Sequence, residues 1–229
     1  MTSATATLIP SPTLSPRRGM TVRQLGILEY NEALDLQRQL VDDRVRGLIA
    51  DTLLLLEHPH VVTRGAGHNG RTLGNNPHPL YDVDRGGDIT YHGPGQLVGY
   101  PIVHLKGRDL TIGAHLRTIE AALIRSLADF GIKGERLKGF TGVWVGGRKI
   151  ASIGIAVRAW VAYHGFALNV ATDLSQFNGI HPCGLEPGQM TSMERVLGSP
   201  PLAKAVRAGV AAAFAEFYRV PDSREHAQV

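Results

Sequence analysis

Between Val143 and Val170 the sequence alternates in steps of two, and that alternation constrains the fold more than any other stretch. Val143–Val145, then Gly146-Gly147, then Arg148–Val157 predict a hairpin closed by a two-residue glycine turn. A second reversal through Trp160 returns the chain along His164–Val170. On the first long strand Ala151, Ile153, Ile155 and Val157 share one face, and Ser152, Gly154 and Ala156 share the other. If that parity extends back, Lys149 joins the apolar face. On the second strand His164, Phe166, Leu168 and Val170 oppose Gly165 and Ala167. Small residues at facing positions of adjacent strands leave a trough, which either another stretch of backbone or a slender ligand can fill.

The elements around this block are mixed. Val22–Leu25 reads as a short strand, Glu29–Arg46 as a helix, and Thr52–Leu56 as a buried strand. Thr111 can cap a helix reaching Phe130, which Gly131 ends. A last helix follows Ser199-Pro200-Pro201 and buries Leu202, Val206, Val210, Ala213 and Phe217. Strands and helices lack a repeating period, which predicts an α+β fold with a mixed sheet flanked by helices. Residues 20–229 read as one domain. Residues 1–19 read as a Pro/Ser/Thr tail, either a targeting peptide or a disordered segment.

Composition sets the outer bounds. Apolar residues make up 43% of the 229 and charged residues 19%, which excludes an ordinary disordered chain. No apolar run approaches the ~18–20 residues of a membrane span. The single cysteine excludes an internal disulfide framework and fits a cytoplasmic, reducing compartment. The net charge of +4 suits an anionic partner. The absence of long basic runs, aromatic platforms and zinc-finger spacing argues against nucleic acid.

Four motifs carry candidate chemistry. Gly65-Ala66-Gly67-His68-Asn69-Gly70 fits G-x-G-x-x-G, but Arg71–Pro77 after it is loop-like, so a dinucleotide site is rejected in favour of a mobile surface loop. His58, His60, His92, His164 and His181 lack metal-ligand spacing, and no metal or other cofactor is expected. Arg85-Gly86-Gly87-Asp88-Ile89-Thr90-Tyr91-His92 places a short strand between glycine-rich turns. This lets backbone N–H groups approach a ligand, or simply makes a decorated hairpin. Cys183, in His181-Pro182-Cys183-Gly184, is either a small buried side chain or a nucleophile. Lys149 is either a solvated hairpin lysine or, if buried, one whose charged form desolvation disfavours, suited to handling a thiol proton.

Taken together, Arg85–Gly87, Thr90, His92–Gln96, Tyr100-Pro101-Ile102, Arg148–Gly154, His164–Asn169 and Pro182–Gly184 resemble the signature of the octanoyltransferases of lipoyl synthesis. The likeness spans about residues 20–200. It implies the fold shared with lipoate and biotin protein ligases. It also implies transfer of an octanoyl group from octanoyl-acyl carrier protein to a lysine of a lipoyl domain, in 2-oxoacid dehydrogenases or the glycine cleavage H protein. By that resemblance Cys183 is the nucleophile that forms an acyl thioester, and Lys149 is its base or the group that lowers the thiol pKa. The acyl-binding residues fall on Arg85, Gly86, Gly87, Asp88, Ile89, Thr90, Tyr91 and His92, on Ser152, Ile153 and Gly154, and on Gly165, Phe166 and Ala167. A monomer that binds neither membrane nor nucleic acid is expected. The alternatives are an ATP-dependent ligase, a thiol hydrolase and a non-catalytic acyl-binding module.

Overall fold

The computed structural model describes residues 19–68, 76–178, 180 and 188–219. Ten strands and four helices follow the chain as β1 (Met20–Ile27), α1 (Tyr30–Val45), β2 (Asp51–Glu57), β3 (Val61–Arg64), β4 (Leu80–Asp82), β5 (Ile89–His92), β6 (Gln96–His104), α2 (Ile112–Ala128), β7 (Glu135–Leu137), β8 (Phe140–Val145), β9 (Arg148–Arg158), β10 (Val161–Asn169), α3 (Met193–Leu197) and α4 (Ala203–Phe217). Seven strands form one sheet in the order β1-β2-β6-β10-β9-β8-β7, and β4-β3-β5 form a second. β1 runs parallel to β2 and β3 parallel to β4, whereas the other pairs are antiparallel. This is the mixed sheet that the sequence predicts.

Each face of the large sheet has its own cover. On one face Phe166, Leu168, Ile155 and Ala162 pack with Ile119, Leu123 and Leu127 of α2 and Val206, Val210 and Phe214 of α4. On the other, Val98, Tyr100, Tyr163 and Ala167 pack against Ala33, Leu40 and Val41 of α1. Thr111 caps α2 by accepting a hydrogen bond from the Ala114 N–H at 3.1 Å. In α4 the buried stripe ends on Phe214, which stacks on Phe166 with centroids 5.2 Å apart. Phe217 lies 41% exposed and Leu202, which only precedes the first turn, 80% exposed. Both were expected inside.

Both hairpin turns form. Arg148 pairs with Val145 and Val161 with Arg158, so Gly146-Gly147 and Ala159-Trp160 are two-residue loops. All four residues have positive φ, the geometry of a type I′ turn. Two local irregularities then decide which side chains reach the site. Val143 pairs with Ala151 but Trp144 with Lys149, so β9 carries one extra residue at Ile150. Ile150 and Ala151 both enter the helix-covered core, and Lys149 does not continue the face of Ala151 and Ile153. Further along, Pro101 lies in β6 between two neighbouring strands and has no N–H to give to β10. Opposite it His164 takes φ 55°, and its own N–H turns to Gln37 Oε1 at 2.9 Å.

The segment from Gly65 to Gly67 is tied down, contrary to the mobile loop expected there. The N–H groups of Gly65, Ala66 and Gly67 donate to the carbonyls of Asp88, Arg85 and Gly87 at 3.2, 3.0 and 3.0 Å. A Cβ on Gly65 would stand 2.5 Å from the Gly87 carbonyl oxygen, so only glycine fits. Residues 69–75 lie outside the described residues.

Candidate functional site

The small-residue trough lies under the second sheet. Where β9 and β10 pair, Ser152 faces Ala167 and Gly154 faces Gly165. Part of this space is filled by backbone. The Gly86 N–H donates to the Ile155 carbonyl at 2.8 Å, and a Cβ on Gly154 would stand 2.6 Å from the Gly86 carbonyl oxygen. A Cβ on Gly165 would stand 2.2 Å from the Gly99 carbonyl oxygen and 2.5 Å from Pro101 Cδ. The remainder is a pocket of roughly 480 Å³, its open mouth included. Both readings of the trough are therefore realised at different points along it.

Most of the residues expected to bind substrate line this pocket. Arg85, Gly87, Asp88, Ile89, Thr90 and His92 form one wall, and Ser152, Ile153, Gly154, Gly165, Phe166 and Ala167 the other. Gly86 packs behind the wall on β9. Tyr91 turns to the opposite face of β5, where its hydroxyl meets His60 Nδ1 at 2.7 Å and its ring packs edge-on to Phe177. The Arg85 guanidinium braces its own loop. Nη1 donates to the Gly86 and Asp88 carbonyls at 3.1 and 2.8 Å, and Nη2 to Thr63 O and Oγ1 at 3.1 and 2.9 Å. Thr90 Oγ1 is buried and has no hydrogen-bond partner among the described residues.

Three further rings line the pocket that the site assignment from sequence omitted: Tyr30, Tyr100 and His164. Tyr30 reads in sequence as one more apolar position on α1. Tyr100 lies within the Tyr-Pro-Ile motif, whose identity gives no face. His164 reaches the pocket side only because its positive φ breaks the alternation of β10. There its ring stacks on Tyr163, and Asp84 accepts from both, through Oδ1 from His164 Nε2 at 2.9 Å and through Oδ2 from the Tyr163 hydroxyl. Behind the pocket, Tyr100 Oη meets His58 Nε2 at 2.7 Å, and His58 Nδ1 meets the Leu28 carbonyl at 2.7 Å. A carbonyl only accepts, so Nδ1 carries the proton and Nε2 accepts from the tyrosine. Burial lowers His58 to about 4 and, with His58 and Arg85 adding to it against the hydrogen bond that His92 Nδ1–H donates to Gln96 Oε1, His92 to about 3. Both imidazoles are neutral near pH 7.

Lys149 is 2% exposed, not the solvated hairpin lysine that its turn-flanking position allows. The extra residue in β9 places its ammonium over the Trp144 ring, 5.6 Å from the centroid. Trp144 belongs with Ile89, Tyr91, Ile180 and Met190 to a third cluster, apart from the two that cover the large sheet. Gly142 closes the other flank, where a Cβ would stand 2.6 Å from Lys149 Cε. The buried Glu120 carboxylate holds that glycine by accepting its N–H at 3.1 Å, and is itself paired to Arg117 and Arg136. The backbone of Lys149 is fixed by an isolated β-bridge to Met190, in the segment that follows the cysteine motif. Its N–H donates to the Gln189 carbonyl at 2.8 Å and its carbonyl accepts from Thr191 at 2.9 Å. Cys183, with His181, Pro182 and Gly184, lies outside the described residues. Among the described residues no cluster of three metal-ligating side chains occurs, and no helix is long and apolar enough to cross a membrane.

Comparison with known proteins gives one consistent result. Residues 29–215 match the lipoyl protein ligase A/B catalytic domain. A protein of Syntrophobacter fumaroxidans named octanoyltransferase is 49% identical over 181 residues, covering 76% of this chain and 79% of its own. Another of that name from Solibacter usitatus is 51% identical over 175 residues, covering 73% and 80%. Among solved structures, a bipartite lipoate protein ligase of Thermoplasma acidophilum superposes with a TM-score of 0.63 at 18% identity, covering 86% of this chain and 84% of that one. A biotin protein ligase of Aquifex aeolicus gives 0.54 at 14% identity, covering 86% and 70%. The structural likenesses establish the shared fold.

Proposed function

Because the chain belongs to the octanoyltransferase family of lipoyl protein ligase A/B catalytic domains, we propose that its pocket holds the octanoyl chain while Cys183 and Lys149 transfer it through a covalent thioester. The observation that carries this reading is the burial of Lys149 against Trp144 and Gly142, on the same strand as Ser152, Ile153 and Gly154, which line the pocket.

In the first half-reaction the Cys183 thiolate attacks the carbonyl carbon of octanoyl-acyl carrier protein. A new C–S bond forms, the carrier's C–S bond breaks, and the carrier thiol leaves with the proton that Lys149 took from Cys183. In the second, the acceptor lysine of a lipoyl domain attacks the acyl-enzyme. Lys149 receives a proton from that amine and returns it to the cysteine sulfur as the amide forms. The acceptors are lipoyl domains of 2-oxoacid dehydrogenases and the glycine cleavage H protein. Thr90 Oγ1, buried in the pocket wall without a partner among the described residues, is a hydrogen-bond donor for the thioester carbonyl.

Transfer should require no nucleotide. Incubation with octanoyl-acyl carrier protein and apo lipoyl domain, in ATP-free buffer, should give octanoylated lipoyl domain by mass. Modification only when ATP and free octanoate are supplied would support the ligase alternative. Release of octanoate with no modified domain would support a hydrolase.

A further inference from the structure

Resting on the acyl-transfer reading, the geometry points to Tyr100, locked by His58 and flanked by Tyr30, as the end stop that sets the length of acyl chain accepted. The reacting end of the site is at Lys149, near the start of β9. Phe166 pairs with Gly99, which puts Tyr100 beside Gly165, and Gly165 pairs with Gly154. From Lys149 to that row β9 advances five residues, one of them the extra residue at Ile150. This is about 13 Å of strand at a rise of about 3.3 Å per residue. An extended eight-carbon acyl group needs about 9 Å, seven C–C bonds each advancing roughly 1.25 Å. The chain therefore ends just short of the row that Tyr100 occupies.

That row is a wall, not a flexible boundary. Tyr100 is 4% exposed and sits on a central strand between β2 and β10. Its hydroxyl is held by His58, which in turn is held by the Leu28 carbonyl, each at 2.7 Å. Tyr30 packs on His58 with centroids 5.3 Å apart and lies nearly parallel to His92 at 6.4 Å. Swinging Tyr100 aside would leave a buried imidazole nitrogen unpaired and would disturb the central strand that carries the ring, so the wall resists displacement. The wall thus rejects longer chains through hydrogen bonds that the substrate never touches.

The test is a competition among six-, eight-, ten- and twelve-carbon acyl-pantetheine thioesters, read as acyl adducts on the intact protein. The native chain should favour eight carbons over twelve by at least tenfold. Tyr100→Val should raise the twelve-to-eight ratio at least tenfold, and Tyr100→Phe, which keeps the ring but loses the His58 lock, should raise it by a smaller factor. A folded Tyr100→Val protein with the native ratio would overturn the end stop. Should that variant not fold, the native protein decides the matter: an octanoyl thioester carrying a terminal diazirine should label Tyr30, His92 or Tyr100 on illumination. Labels confined to other residues would overturn it equally. Adduct formation with unaltered length preference refutes the end stop alone. Failure to form an adduct with any chain refutes the transfer reading, and the end stop with it.

Discussion

Thr90 contributes a hydroxyl that is buried in a pocket wall and unpaired among the described residues. Such a group costs about 1–3 kcal/mol, a cost that a bound polar atom removes. Thr90→Val should therefore leave the melting temperature unchanged or higher while kcat/KM for octanoyl transfer falls about tenfold; unchanged kinetics would take Thr90 out of the reaction. At Lys149 the loss should be larger. Lys149→Ala should lower adduct formation by at least a hundredfold with circular dichroism intact, and Lys149→Arg should not restore it, since guanidinium does not give up its proton near neutral pH. His58 and His92 make stability depend on pH. Burial holds their folded pKa values at about 4 and about 3, below the unfolded value near 6.5. The unfolded chain therefore binds the extra protons, and stability is complete above pH 6.5 and falls as pH drops toward 4. His58 alone should account for about 2–3 kcal/mol between pH 7 and pH 4.5. Urea titration at the two pH values checks this; equal midpoints would contradict it.

At the scale of elements, the site depends on places where strands depart from their own periodicity. Gly142 stands between Glu120 and Lys149, with no room for a Cβ beside Lys149 Cε or the Ala151 carbonyl. Gly142→Ala should displace the lysine and cost both activity and about 1–3 kcal/mol of stability, from paired kinetic and denaturation measurements. The two hairpins, their turn residues and the trough were legible because period-2 alternation and paired glycines are local signals. The orientation of Lys149 was not, because nothing in Lys149-Ile150-Ala151 announces the extra residue, and one such insertion reverses every side chain before it. His164 escaped for a related reason. Its positive φ answers a proline 63 positions earlier in the chain, on a neighbouring strand. The wall of Tyr30, His58 and Tyr100 joins three separate segments through ring packing and the hydrogen bonds of His58, and no spacing within any one of them encodes it.

For the whole molecule, the large sheet supplies a rigid floor backed by α2 and α4, and the small sheet with α1 supplies the roof and end of the pocket. On the proposed thioester route, two protein substrates arrive in turn at one mouth. The formal charge of +4 favours encounter with acidic partners. The apparent second-order rate with octanoyl-acyl carrier protein should fall severalfold between low and physiological salt, while the rate within the bound complex stays constant. A salt-independent rate would remove steering from the account. The central claim is sharper. Mix the protein with octanoyl-acyl carrier protein alone, digest it, and locate any acyl group by mass spectrometry. A thioester on Cys183 that disappears as the acyl group moves to added apo lipoyl domain is the predicted result. An unmodified Cys183 alongside an octanoylated lipoyl domain would contradict it.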